Sequence, residues 1–401
     1  MDFAPPPTGA DLERWATADR DARPQRLARL RARMEEAGVD GYFGVRREHM
    51  RYLTGFTLAE TEIPSAGNSG MFLVTPDDVR VLADNRYTIQ ARREASHARL
   101  FDCYNNLGER WPILLAESGV RRVAVEAGFV AHAMWQNLAA AAPGIELVPV
   151  EGWVEADRQV KEPTEIERIA AACAVADRAL ASLLPSIRAG VTERELALDL
   201  EWRMRTGGAE ALAFDVTCLA GAEAALPHGS PGDRPVRSGA VLLFDFGAQV
   251  AGYRSDMTRT LFVGEPTSRD LAVYETVATA QTAAFDALRA GLIAARHAAP
   301  LPDGRSIDGV ARASIESDGR WPAYQHGLGH GIGLATHELP SLGRSAAATP
   351  LPSPTVFSIE PGIYLEGETG VRIEDLAVFD AAAGTLELVT RFPRDVVVVG
   401  S

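Results

Sequence analysis

Thiols, lysine and long apolar runs are all scarce in this chain. Its 401 residues include three cysteines, Cys103, Cys173 and Cys218. They form no CxxC pair and no disulfide framework, so a reducing, cytoplasmic compartment is expected. Lysine occurs once, at Lys161, and the remaining positive charge is arginine. No window holds ~18 uninterrupted apolar residues, so no membrane-spanning helix and no membrane partner are expected. The Pro-rich start, Met1 to Gly9, lacks a basic stretch followed by an apolar one and does not read as a signal peptide. Basic residues are outnumbered 40 to 54, a net charge of −14. Such a chain repels phosphate backbones, which argues against nucleic acid as a partner.

What is present is ordinary globular composition, 46% hydrophobic and 23% charged, in a length that suits two domains at ~150 residues each. The first third alternates helix and strand signals. Gln25–Glu36 reads as a helix, Gly41–Val45, Met71–Thr75, Val79–Ala83 and Arg121–Glu126 as strands, and Ala131–Ala141 as a second helix. Past residue 158 the pattern changes. Thr164 with Glu167, and Thr192 with Glu195, have capping-box spacing. Strand-like runs follow at Val241–Phe246, Asp256–Val263, Val356–Glu360 and Val371–Phe379, with helical stretches at Ser268–Ala290 and Ser306–Ser317. The expected architecture is an α/β domain over 1–158 and an α+β domain over 159–401 with largely antiparallel strands.

The chemistry concentrates in the second domain. Asp245 sits in the apolar run Val241–Gly247, and Asp256 lies eleven positions on, beyond the turn glycines Gly247 and Gly252. A hairpin brings the two carboxylates onto adjacent strands; taken singly, each reads more readily as a solvated hairpin residue. The pattern recurs with Glu360 and, fourteen positions on, Glu374. Four inward carboxylates repel one another, so either their pKa values rise or cations sit between them. Four histidines, His228, His326, His330 and His337, fall in motifs of this half, whereas His49, His97, His132 and His297 read as structural. Four carboxylates and an imidazole form a hard ligand set suited to a bridged pair of Mn²⁺, Co²⁺, Zn²⁺ or Fe²⁺. Two such ions share a hydroxide and polarise a carbonyl, which is the chemistry of metal-assisted hydrolysis.

These motifs, in their order and spacing over residues ~160–395, resemble the pita-bread metallopeptidases: Xaa-Pro aminopeptidase, Xaa-Pro dipeptidase (prolidase) and, more distantly, methionine aminopeptidase and creatinase. Met50–Phe56 (MRYLTGF) and Ala83–Tyr87 (ADNRY) resemble segments of the amino-terminal domain of the proline-specific branch. The resemblance implies two metal ions, manganese foremost, held by Asp245, Asp256, His330, Glu360 and Glu374, with Asp256 and Glu374 bridging. It implies Glu360 as proton shuttle, His228 and His337 as catalytic-pocket histidines, and supporting roles for His326, Arg372 and Tyr253. It implies a proline-containing peptide as substrate, attack on the Xaa-Pro bond by a metal-bridging hydroxide, and a homodimer. Departures from the family pattern at Glu223 and at Pro350, Pro352 and Pro354 fall near the expected pocket rim and bear on substrate range. The alternatives are another C–N hydrolase on this fold, creatinase-like, which works without these acids, and a non-catalytic peptide-binding module, which characteristically loses ligands. Of the net charge, −4 belongs to residues 1–158 and −10 to the rest, and two divalent ions would cancel four of those acids.

Overall fold

The computed structural model describes residues 3–58, 69–103 and 107–400; Met1 and Asp2, at the head of the Pro-rich start, lie outside them. The chain forms two units, Glu13–Asp157 and a second that joins Arg158–Ser401 to the residues before Glu13.

The Glu13–Asp157 unit is built on a six-stranded mixed sheet. Its strands are β1 (Gly41–Gly44), β2 (Met71–Val74), β3 (Val79–Ala83), β4 (Arg99–Asp102), β5 (Arg122–Glu126) and β6 (Glu146–Val150), in the order β4-β3-β2-β1-β5-β6. β2 and β3 form the hairpin expected around Thr75–Asp78, with Val74 opposite Val79. The core gathers Phe43, Leu73, Trp111, Val123 and Leu138. Helix α1 is far longer than the expected Gln25–Glu36: it runs Gly9–Ala37, through Pro24. A mid-helix proline deletes one hydrogen bond. Buried Trp15, Arg23, Arg26, Leu27 and Leu30 lie on both sides of it, and such a buried stripe outweighs one missing bond. The segment resembling RYLTGF forms α2 (Arg47–Thr54), closed by Gly55 at φ 79°, and buried His49 bonds through Nδ1 to buried Glu126 at 2.8 Å.

In the second unit, the helix expected from Thr164 starts earlier. Its cap is Glu162, whose box partner is Glu165, and α3 spans Pro163–Leu183. Pro163 explains the shift, because a proline without N–H fits the first helical position. With its last turn (Pro163–Ser186) this is one helix long and apolar enough to cross a membrane, at mean hydropathy 1.3. Ile169, Cys173, Leu180 and Leu183 along it are fully buried in the unit, as in a core helix. Helix α4 (Glu193–Thr206) has the expected Thr192/Glu195 box. Strands β7 (Thr217–Ala220), β8 (Val241–Phe246), β9 (Met257–Val263) and the terminal Val398–Val399 form one sheet. A second sheet holds β10 (Gly329–Gly331), β11 (Glu338–Leu342), β12 (Thr355–Ile359), β15 (Asp375–Asp380) and β16 (Thr385–Leu388), and β13 (Gly362–Leu365) pairs with β14 (Thr369–Arg372) as a hairpin. The single strand expected over Val371–Phe379 is thus two, broken at Ile373-Glu374. Helices α5 (Ser268–Ala295) and α6 (Gly304–Asp318) bury Val277, Ala284, Leu288, Ala311 and Ile315 in a core shared with Leu243, Phe262, Phe357, Ile359 and Ile373. That core lies directly behind the acid-bearing strands.

Candidate metal centre

Antiparallel pairing of β8 and β9 sets Asp245 opposite Thr258 and Met257 opposite Phe246. Asp256, one residue before β9, therefore comes up beside Asp245. On the other hairpin, Ile359 faces Asp375 and Gly362 faces Arg372, so Glu360 and Glu374 meet in the gaps between strands. His330, on β10, joins them. Ligand atoms of Asp256, His330 and Glu374 all lie within 4.8 Å of one another, and His330 Nε2 is 3.4 Å from Glu360 Oε1 and 3.7 Å from Asp256 Oδ2. A cavity of about 550 Å³ opens onto all five of these residues, and also onto His228, His326, His337 and Arg372. That is an ordinary size for a small-ligand site.

The bare cluster calls for added positive charge, as protons or as a bound cation. Burial pushes the Asp256 carboxyl well up, and Glu374, Asp245 and Glu360 push it further. Burial, then Glu360 and Asp245, does the same to Glu374, and burial raises Glu360. The buried oxygens Asp245 Oδ1 and Glu374 Oε1 have no hydrogen-bond partner among the described residues. Burial lowers the His330 pKa, and its Nδ1 donates to the Gly331 carbonyl at 3.1 Å. Its Nε2 lone pair therefore faces carboxylate oxygens. Lone pair against lone pair, with orphaned acceptors behind, is the donor set a divalent ion neutralises. The residues present fit one.

The surrounding side chains fix these donors. Arg372 donates to Asp245 Oδ2, to the Thr258 hydroxyl at 2.9 Å and to the Tyr364 hydroxyl at 3.0 Å. The Thr258 hydroxyl in turn donates a hydrogen bond to Glu374 Oε2 at 2.8 Å. The Ser358 hydroxyl donates to Glu360 at 3.1 Å while accepting the His330 N–H. His326 donates from Nδ1 to the Gly327 carbonyl, so its Nε2 accepts from the Tyr364 hydroxyl at 2.9 Å. The His337 ring lies tilted against that of His330, ring centres 4.3 Å apart, and partial desolvation, with His330 and His228 beside it, lowers its pKa. The turn carrying His337 is held from behind by buried Glu338. That carboxylate accepts the Ala335 N–H at 2.8 Å and pairs with Arg158 and, at 3.1 Å, with Lys161.

Comparison with known proteins agrees with this geometry. Residues 167–381 match the profile of Metallopeptidase family M24, and residues 26–160 match the Creatinase/Prolidase N-terminal domain. The chain belongs to metallopeptidase family M24. Among proteins similar to this M24 chain is the Xaa-Pro dipeptidase of Pyrococcus furiosus, 30% identical over 88% of the chain and 94% of that protein. Similar solved structures include the Xaa-Pro dipeptidase from Bacillus anthracis, at TM-score 0.83 and 30% identity over 94% of this chain and 99% of the other. The X-Pro aminopeptidase from Thermotoga maritima MSB8 superposes at TM-score 0.81 and 32% identity, over 93% and 99%. The M24 fold here is thus a creatinase-type α/β domain followed by an α+β catalytic domain.

Three sequence expectations need correction. Tyr253 does not line the M24 cavity: its hydroxyl donates to Glu165 at 2.9 Å and its ring lies under Arg168, because its two-residue strand turns toward α3. Glu223 and the prolines at 350, 352 and 354 do not line the cavity among the described residues; Glu223 lies 3.5 Å from Arg234. Tyr364 and Thr258 went unremarked. A signal for Tyr364 exists in strand alternation: it shares a face with Gly362, which pairs with Arg372.

Proposed function

We propose that the protein is an exopeptidase that hydrolyses the Xaa-Pro bond at the amino end of peptides or in dipeptides. Asp245, Asp256, His330, Glu360 and Glu374 would hold two divalent ions, manganese foremost. The observation that carries this reading is the convergence of four carboxylates and an imidazole on one cavity, two of their buried oxygens having no hydrogen-bond partner among the described residues. Relatives named Xaa-Pro dipeptidase and X-Pro aminopeptidase supply the proline specificity.

Bound ions would polarise the scissile carbonyl and acidify the attacking water. The rest falls to the chain. Glu360, its pKa raised by burial, takes the proton from the water and delivers it to the prolyl nitrogen. That nitrogen belongs to a tertiary amide without N–H, so it leaves only once protonated, and a pocket that demands an N–H there rejects it. His337, its pKa lowered by partial desolvation and by His330 and His228 beside it, and His228 are both exposed at the cavity and hydrogen-bond the carbonyl oxygen as it gains charge. The Arg372–Tyr364–His326 chain keeps Asp245 turned inward. The retained acids argue against a creatinase-like reaction, and the complete ligand set against a binding-only role.

The test is an assay of Xaa-Pro dipeptides and Xaa-Pro-Yaa tripeptides with Mn²⁺, Co²⁺ or Zn²⁺, alongside elemental analysis. Metal uptake with cleavage of at least one class is expected. No uptake and no cleavage of either class would sink the reading. We also place the protein in the cytoplasm as a homodimer without membrane or nucleic-acid partners; its three thiols are free and buried. Light scattering should give twice the chain mass of 43.0 kDa, and a monomer at micromolar concentration would refute the dimer.

A further inference from the structure

Helix α5 carries one buried amide among apolar neighbours. Gln281 is 1% exposed, in a helix whose inward face is otherwise Val277, Ala280, Ala284, Phe285 and Leu288. A buried amide is costly unless its hydrogen bonds are made. Gln281 makes them all with the strands behind the carboxylates. The two hydrogens of its Nε2 are shared among three acceptors, the Ile359 carbonyl at 3.1 Å, the Ile373 carbonyl at 3.1 Å and Asp375 Oδ2 at 3.0 Å. Its Oε1 accepts from Arg394 at 3.3 Å. Acceptors surround one end and a cation the other, so the amide has only one workable orientation.

Those carbonyls are one peptide unit away from the chemistry. Ile359 precedes Glu360, and Ile373 precedes Glu374. Strand pairing flanks these two points, with Ile359 opposite Asp375 and Gly362 opposite Arg372, but between those pairs the ladder is interrupted: Ile359 ends β12, and Ile373 lies in the break between β14 and β15. Gln281 bridges them with a single nitrogen. The far sides of both glutamates are also pinned, Glu360 N–H by the Leu328 carbonyl at 2.8 Å and Glu374 N–H by the Thr258 carbonyl at 3.1 Å. Beneath Glu374, buried Arg259 donates to the Glu374 carbonyl at 2.5 Å and pairs with Asp375 at 2.6 Å, and Thr390 donates to the same Asp375 oxygen at 2.6 Å. Asp375 is thereby locked where Gln281 meets it.

We infer that Gln281 is a positioning residue for the metal pair: its amide sets the separation of Glu360 and Glu374 by holding the peptides that precede both. This rests on those glutamates being ligands. A slack clamp lets the two repelling carboxylates drift apart, so binding of ions between them weakens even though every ligand remains. Supports of this kind are worth roughly 10- to 100-fold in metal affinity.

The experiment compares the full chain with Gln281→Met, which keeps the volume and loses the donors, and Gln281→Asn, which keeps an amide one methylene too short to span both carbonyls. Leu288→Ala, a pure packing loss on the same helix, is the control. Each protein is stripped with chelator, its melting temperature is recorded, and it is titrated calorimetrically with Mn²⁺. Both Gln281 variants should bind Mn²⁺ roughly 10- to 100-fold more weakly, while Leu288→Ala, even if it melts lower, should bind as wild type does. Wild-type affinity in either folded Gln281 variant overturns the clamp. An equal affinity loss in Leu288→Ala also overturns it, since general loosening then explains the effect. A wild-type chain that takes up no Mn²⁺ overturns the ligand assignment and the clamp together.

Discussion

Asp256→Asn should leave the chain folded, strip it of metal, and lower Xaa-Pro hydrolysis by at least ~10³-fold, beyond the roughly 100-fold that loss of a supporting contact costs. The substitution keeps the side-chain shape and removes one charge. Asp256 is pressed by burial and by three other carboxylates, so the metal-free protein should gain stability from it, because like charges no longer repel across a dry cavity. Metal affinity and metal-free stability thus move in opposite directions. Calorimetry of the stripped protein, with elemental analysis of the reloaded one, reads both. Activity near wild type would refute the ligand assignment, and a metal-free protein that melts lower would refute the account of the repulsion.

Glu338→Gln should act on stability, and strongly. Burial alone would raise this carboxyl, but Arg158 and Lys161 beside it, with the Ala335 N–H, bring it down to about 2. Glutamine removes the buried counter-charge that Arg158 and Lys161 share, a loss of about 3–5 kcal/mol. In a unit of this size that corresponds to a melting temperature lower by roughly 10 °C. The wild type should show the matching acid limb. Its folded pKa lies below the ordinary 4.5, so the stabilisation is complete above that value and is lost as pH falls from ~4.5 toward ~2. The amount is about 3 kcal/mol. Denaturant unfolding across that range, with and without the substitution, checks it. A variant within about 1 kcal/mol of wild type, or one with the same acid limb, would refute the pairing.

The carboxylates were legible in the sequence because hairpins are local. Eleven and fourteen residues across glycine turns are enough to place Asp245 by Asp256 and Glu360 by Glu374. The Thr192 cap was legible for the same reason, since its partner Glu195 is three residues away. Of the groups that hold the ligands, Arg372 came only with the family resemblance, and Thr258, Tyr364 and Gln281 were not legible. Thr258 and Glu374 are 116 residues apart, and Gln281 lies 78 residues from Ile359 and 92 from Ile373. No periodicity reports contacts of that range, and a lone glutamine on an apolar helix reads as an exposed position. Tyr253 failed in the opposite sense: it stands close to Asp256 in sequence, but a strand of two residues sends it toward Glu165. The Thr164 cap failed because Pro163 competes for the helix start and wins.

Helix α1 carries the chain out of the catalytic unit before residue 13, and the chain returns at Arg158. The Arg178 guanidinium donates to the Ala4 carbonyl, and Pro6 and Pro7 lie against Gly208. The α/β domain is therefore nested within the catalytic unit in chain order. Seating Ala4–Pro7 closes a loop whose interior is itself a domain. The entropy of closure grows only with the logarithm of loop length, and a folded insert shortens the effective span further. One cut between the domains cannot yield an intact catalytic unit, because its first strip of chain would leave with the other piece.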